Sequence, residues 1–240
     1  MAAKPQKRAA RKFQLVGKDA PFPYQEAFKS LRTNIKFLAV NQACKRIIIT
    51  SAIPGEGKSS VAVNLAVSMA ETGSKVLLID CDLRKPIIHR YLRIDNKAYK
   101  GITNVLAGGA LADSLIEVKG LGIHVMIADA IPPNPAELLG SRRMGQLVQE
   151  LDKYYDYIIF DTPPVGVVTD AAVLSQYADG VILVVRQNHA TFEQAALAKK
   201  NLETVHANIL GAVLNDFNTK TSGKESGYYY SYNYDYSNKE

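Results

Sequence analysis

The segment Ala52-Ile53-Pro54-Gly55-Glu56-Gly57-Lys58-Ser59 is built to hold phosphate. Gly55 and Gly57 let the backbone turn so that successive N–H groups face one anion, and the start of a following helix adds its positive end. Lys58 then reaches the terminal phosphate oxygens, and Ser59 supplies an oxygen for magnesium. The general pattern Gly-x-x-x-x-Gly-Lys-Ser/Thr has a glycine where this chain has Ala52. Pro54, Gly55, Glu56, Gly57, Lys58, Ser59 and Ser60 are the residues expected around a nucleotide. Two further strings end in acid. Leu77-Leu78-Ile79-Asp80-Cys81-Asp82-Leu83-Arg84 carries two carboxylates and a guanidinium. Asp80 and Asp82 are two apart, so on extended backbone they project to one side. One suits a place near the metal and the other a place near an incoming hydroxyl. Ile158-Ile159-Phe160-Asp161 offers another carboxylate to the metal, directly or through water. Near the C-terminus stand six phenols: Tyr228, Tyr229, Tyr230, Tyr232, Tyr234 and Tyr236. A phosphate-donor loop and a cluster of phosphate acceptors on one chain imply phosphoryl transfer to tyrosine.

These residues need elements to position them. Ile47–Ile49 precede the loop as a buried-type strand over 46–50, and 59–72 reads as the helix after it, stopped by Gly73. Strands are expected at 76–80, 123–128, 157–161, 181–186 and 209–215. Helices are expected at 24–40, 170–177, from Asn134 (cap), Pro135 and Glu137 to about 154, and from the Thr191/Gln194 capping box to about 206. Residues 84–121 read as irregular, with short helices. The strands are continuous apolar runs, as a sheet covered on both faces requires. Their alternation with helices predicts an α/β fold with parallel strands, whose ligands bind at the carboxyl ends. Each acidic or glycine-rich motif above falls at such an end.

The net charge of +6 is modest, and part of it lies in Lys4, Lys7, Arg8, Arg11 and Lys12. That run reads as a solvated basic arm over 1–21, with attraction to an anionic membrane surface as the sharper alternative. Its basic residues are not interleaved with aromatics, and the tail offers only Lys220, Lys224 and Lys239, so nucleic acid is not expected as a partner. No stretch reaches the ~18 apolar residues of a membrane span, and no signal peptide is seen, which predicts a cytoplasmic protein. Cys44 and Cys81 suggest no disulfide framework. Residues 22–217 are expected to form the folded domain, and the Ser/Asn/Gly-rich 218–240 a disordered tyrosine-rich tail.

Taken together, Pro54–Ser59, Asp80-Cys81-Asp82-Leu83-Arg84-Lys85-Pro86, Asn134-Pro135-Ala136-Glu137-Leu138-Leu139 and Asp161-Thr162-Pro163-Pro164 resemble the bacterial tyrosine kinases of capsule and exopolysaccharide synthesis. The resemblance covers about residues 22–240. It implies a P-loop NTPase fold, a three-layer α/β/α architecture with a mostly parallel sheet. Walker A, A′ and B would be Ala52–Ser59, Leu77–Arg84 and Ile158–Asp161. By this resemblance the cofactors are ATP and Mg2+, and Lys58 binds the phosphates. Ser59, Asp82 and Asp161 hold the metal, Arg84 joins the nucleotide site, and Asp80 accepts or orients the tyrosine proton. The family's Glu-x-x-Arg-x-x-Arg helix motif, which assembles rings, corresponds to Glu26, Lys29 and Arg32. Lys29 cannot reproduce the bidentate fork of arginine. In a homo-oligomeric ring each tail would enter a neighbour's site. Without a membrane span the chain resembles the split branch of the family, whose partner is a membrane adaptor of the polysaccharide co-polymerase type, with recruitment to the inner face of the membrane. Asn215 contacts adenine in related P-loop ATPases; a turn-forming role fits it equally.

The competing reading is a Min/Par-type ATPase switch without transfer to tyrosine. Those proteins carry a second lysine at the position of Ile53. A non-catalytic nucleotide-gated regulator is a third class. An iron–sulfur scaffold ATPase is disfavoured, because no Cys-x-x-Cys is present.

Overall fold

Side chains of an extended strand alternate between faces, so a run such as Ile47-Ile48-Ile49 stays dry only if both faces are covered. The computed structural model, which describes residues 13–39 and 44–217, meets that demand. Seven strands, β1 (Arg46–Ser51), β2 (Val76–Asp80), β3 (Ile116–Val118), β4 (Ile123–Met126), β5 (Tyr157–Asp161), β6 (Gly180–Arg186) and β7 (Ile209–Asn215), form one sheet in the order β3-β4-β2-β5-β1-β6-β7. Every pairing is parallel except β3 with β4. Ile47, Ile49, Leu78, Ile159 and Ile182 point into one core, and Ile48, Leu77, Ile79, Phe160 and Leu183 into the other.

The first core is closed by α1 (Phe22–Leu38), α2 (Lys58–Ala70) and α3 (Ile88–Tyr91). The second is closed by α4 (Ile102–Ala107), α5 (Pro135–Leu139), α6 (Arg142–Leu151), α7 (Asp170–Leu174) and α8 (Phe192–Thr204). The result is the expected three-layer α/β/α arrangement. The order β2-β5-β1 places three strands side by side whose carboxyl ends carry the acidic and glycine-rich motifs. Asp80 and Asp161 are register partners across β2 and β5, and Asp161 also faces Ile49 of β1.

Three expectations need correction. The helix expected from 134 to about 154 is two helices, α5 and α6. It breaks at Gly140–Ser141, where Ser141 Oγ accepts from Met144 N at 3.2 Å and starts a new helix. Gly140 is also packed so closely that a Cβ there would lie 2.4 Å from Val173 Cγ1. Asn134 does not cap α5 through its side chain; its Nδ2 donates to Glu137 Oε2 at 3.1 Å instead. Residues 116–118, expected to be irregular, form the antiparallel edge strand β3. The Thr191/Gln194 capping box is present, with Gln194 N donating to Thr191 Oγ1 and Thr191 N to Gln194 Oε1.

The basic arm expected over 1–21 is in part seated on the domain. Residues 1–12 lie outside the described residues, but Val16 and Ala20 are buried and Phe13 stacks on Tyr91 with ring centroids 4.1 Å apart. Asn64, buried inside α2, holds this stretch. Its Oδ1 accepts from Val16 N, and its Nδ2 donates to Gln14 O at 3.0 Å and to the Tyr24 hydroxyl at 3.1 Å. Asn64→Ala leaves buried main-chain groups unpaired, at a cost of about 2–3 kcal/mol. We expect a melting temperature lower by about 2–4 °C for each kcal/mol. Hydrogen exchange at residues 14–24 should accelerate beyond the rest of the chain. An unchanged melting temperature and exchange pattern would refute the role given to Asn64.

Candidate active site

The loop between β1 and α2 is shaped from beneath by Glu56. Its carboxylate is fully buried and turned away from the loop's open side. Oε2 accepts from Ala52 N at 2.7 Å and Ile53 N at 3.0 Å, and Oε1 accepts from Arg186 N at 3.2 Å. Its backbone carbonyl accepts from Asn215 Nδ2 at 2.8 Å. One residue thus ties the loop to the ends of β6 and β7. Arg186 in turn forks onto Asp216 Oδ2, with Nη2 at 2.9 Å and Nε at 3.1 Å. His189 Nε2 donates to Pro54 O at 2.9 Å. Gly57, which precedes α2, sits at φ 87°, and a Cβ there would stand 2.1 Å from Asn215 Nδ2. Only glycine meets both conditions.

Lys58 opens α2 and meets three acids. Its Nζ donates to Asp82 Oδ2 at 2.8 Å and stands 4.0 Å from Asp161 Oδ1. Ser59 Oγ lies 3.3 Å from the same Nζ. Asp80 and Asp161 are fully buried and Asp82 nearly so. Asp80 Oδ1 accepts from Asp82 N, and its Oδ2 from Ile87 N and Ile88 N, all at 3.2 Å. Asp80 therefore shapes the turn after β2. Neither carboxylate oxygen of Asp161 is fully satisfied: the Ser59 hydroxyl approaches it outside good hydrogen-bond geometry, and Lys58 Nζ stands 4.0 Å away.

The electrostatics follow from this crowding. Burial raises Asp161 from the ordinary 3.8 to about 6, even with Lys58 opposing the shift. Burial, with Asp161 beside it, holds Asp80 well above the usual carboxylate range. Burial alone would lower the Lys58 ammonium, but Asp161 and Asp82 more than offset this and raise it. Three acids against one lysine can all be ionised together only with a further cation to balance them. Among the described residues no three His, Cys, Asp or Glu side chains stand together as a complete metal cage. Magnesium does not need one: it keeps several waters and takes one or two carboxylates plus phosphate oxygens. The incompletely satisfied Asp161 carboxylate, with Asp82 and Ser59 beside it, fits such an ion.

The sequence-derived site residues are mostly brought together. Pro54, Gly55, Gly57, Lys58, Ser59, Asp80, Asp82 and Asp161 surround one place at the strand ends, whereas the Glu56 carboxylate lies beneath the loop and the Ser60 side chain bonds Tyr24 of α1. Arg84 is drawn sideways: Nε donates to Asp170 Oδ2 at 3.0 Å and Nη2 to Asp170 Oδ1 at 2.9 Å, while its side chain stays 40% exposed. Asn215 supports the loop from below. Of the helix residues, Glu26 pairs with Lys29 at 2.7 Å, and Arg32 folds onto Ser68 O and Ser68 Oγ of α2, 3.6 Å from Glu71. The six tail tyrosines lie outside the described residues. Asp170, Arg186 and His189 were not singled out from sequence, and each stands alone there with no motif around it. No described helix is long and apolar enough to cross a membrane.

Residues 44–213 match the protein-family profile described as an AAA domain. The tyrosine-protein kinase YwqD of Bacillus subtilis is 43% identical over 205 residues, covering 85% of both chains. The putative tyrosine-protein kinase CapB of Staphylococcus aureus is 35% identical, covering 88% of this chain and 90% of its own. Among solved structures, the kinase domain of the Escherichia coli tyrosine kinase ETK superposes with a TM-score of 0.76 at 34% identity, over 86% of this chain and 84% of that one. The septum site-determining protein MinD of Pyrococcus horikoshii, complexed with Mg-ADP, gives a TM-score of 0.60 at 26% identity, over 71% and 69%. With this fold, these motifs at its strand ends and these relatives along most of its length, the chain belongs to the bacterial tyrosine-protein kinases, relatives of the MinD-like P-loop ATPases.

Proposed function

We propose that this chain transfers the terminal phosphoryl of magnesium-ATP to tyrosines of its own C-terminal cluster, Tyr228 to Tyr236, and that it does so between copies in an oligomer. The observation that carries the reading is the buried, incompletely satisfied Asp161 carboxylate beside Ser59 and the P-loop lysine. The relatives named as tyrosine-protein kinases and the density of phenols in the tail support transfer over hydrolysis alone. The loop also has Ile53 where Min/Par-type switches have their second lysine.

In this reading the loop amides and Lys58 bind the phosphates. Ser59, Asp82 and Asp161 hold magnesium, whose chemistry is to neutralise charge on the transferring phosphoryl group. An ordinary phenol has a pKa of about 10, so its proton needs an acceptor near neutral pH. Asp80, with its raised affinity for a proton, serves as that acceptor, and the turn it organises places Asp82. Positioning and charge neutralisation supply most of the rate. Glu26, Lys29 and Arg32 form the assembly surface, with Arg32 exchanging its bonds to α2 for a neighbour. The proposed activator is a membrane adaptor whose cytoplasmic segment brings the kinase to the inner face. The product acts in capsule or exopolysaccharide synthesis.

Two outcomes test this. Incubation with magnesium-ATP, with and without an adaptor segment, should give phosphotyrosine in the 228–236 cluster. Lys58→Met should reduce it by at least about 100-fold, the scale of losing one preorganised charge in a phosphoryl-transfer site. Persistent phosphotyrosine in that variant would contradict the assigned site. The second concerns Asp161. Its pKa is higher folded than unfolded, so the stability it contributes is present below pH about 4 and is lost as pH rises to about 6. Asp161→Asn should therefore raise the melting temperature of the nucleotide-free chain at pH 7.5 by several degrees, for about 1–3 kcal/mol. The same variant should lose the further rise that magnesium-ATP gives. A lower melting temperature would mean that this carboxylate is a structural asset and not an ion site.

A further inference from the structure

A cavity of about 500 Å³ opens at the carboxyl ends of β2 and β4, and neither phosphate binding nor metal binding as described above uses it. Arg84 and Lys85, from the turn after β2, and His89 and Arg90 of α3 supply one side. Pro86 and Ile131 supply apolar surface, and Ile131 is 69% exposed. The acid in the lining, Asp129, is already engaged: its Oδ1 accepts from Thr103 N at 3.1 Å and Asn104 N at 3.4 Å. Lys85 and Arg90 make no ion pair among the described residues, and His89 Nδ1 is buried without a hydrogen-bond partner there. Arg84 is held by Asp170, so the cavity offers Lys85 and Arg90 to a doubly charged anion and an apolar flank to a ring.

The tail supplies groups of that kind at a regular spacing. Tyr228, Tyr230, Tyr232, Tyr234 and Tyr236 recur at every second residue. On extended backbone such residues share one side and stand about 6.6–7 Å apart. Arg84 and Lys85 follow Asp82 by two and three residues, a reach of at most about 7–10 Å. The spacing of alternate tyrosines falls within that upper limit.

We propose that this cavity is a phosphotyrosine subsite, which binds an already modified tail tyrosine and so favours transfer to the phenol two residues away. This rests on the tail-kinase reading above. The bound phosphotyrosine is unchanged by the step it promotes. There, the terminal phosphoryl leaves the β–γ bridging oxygen of ATP for the neighbouring phenol oxygen, the phenol proton passes to Asp80, and ADP departs. Phosphorylation of the cluster then spreads from the first site in steps of two.

The test uses the full chain with its six tail tyrosines replaced by phenylalanine, acting on synthetic 226–240 peptides. Tyr232 is the sole acceptor, and position 230 or 234 carries phosphotyrosine, Tyr→Phe or Tyr→Glu. Phosphotyrosine at one of these positions should lower KM about tenfold relative to Tyr→Phe, the value of one charge-assisted contact. A Lys85→Ala/Arg90→Ala chain should lose that difference and keep the KM of the unprimed peptide. Equal KM values, an advantage that survives the double substitution, or an equal advantage from Tyr→Glu would overturn the subsite. Direct binding of the phosphotyrosine peptides, read by fluorescence anisotropy, reports on the cavity separately from catalysis. Primed peptides that bind the parent chain about tenfold more tightly than the double variant support the subsite even if no peptide accepts phosphate, and that result would sink the tail-kinase reading alone.

Discussion

Everything at the strand ends answers to one imbalance. Asp80, Asp82 and Asp161 converge on the single ammonium of Lys58 in a largely buried place. Like charges at such distances cannot all be accommodated by one counter-charge, and the molecule does not relax them away. Two of the acids are pinned by neighbours: Asp82 by Lys58, and Asp80 by three backbone N–H groups. Asp161 is the least satisfied of the three, with only Ser59 and a Lys58 ammonium 4.0 Å away near it. The fold therefore stores unfavourable electrostatics where a cation and a polyphosphate would discharge them, which is how a protein trades stability for function.

Holding that arrangement requires rigid ground, and the parallel sheet provides it. β2, β5 and β1 are neighbours, buried on both faces, and their register sets Asp80 beside Asp161 with no freedom to slip. A shift by one residue would turn every apolar side chain to the wrong core. The support beneath the phosphate loop is of another kind. Glu56 satisfies three N–H groups that would otherwise be left unpaired, so a charged side chain does the work of a strand partner.

The strands, the phosphate loop and the acidic motifs were legible because each is a local pattern: an apolar run, a glycine spacing, an acid after a strand. What escaped notice depends on distant partners. β3 is three residues, Ile116-Glu117-Val118, too short for a periodic signal, and it exists only by pairing with β4. The break falls where Ser141 caps a new helix, and the glycine before it fits because Val173, thirty-three residues on, leaves no room for a Cβ. The seating of Val16 depends on Asn64, a polar residue inside a helix whose sequence gives no hint of a distant hydrogen bond. Glu56 reads in sequence as part of a nucleotide-contacting string, yet its carboxylate faces inward, because loop conformation and not residue order decides where it points.

The Glu56 linkage reaches beyond the loop itself. Its carboxylate grips the amide of Arg186, its carbonyl is held by Asn215, and Arg186 clasps Asp216, two residues before the tyrosine-bearing segment begins at 218. The root of that segment is thereby fastened to the floor of the phosphate cradle through a chain of short, directional bonds. Any displacement of the cradle is therefore shared with the ends of β6 and β7, because Glu56 bonds to both.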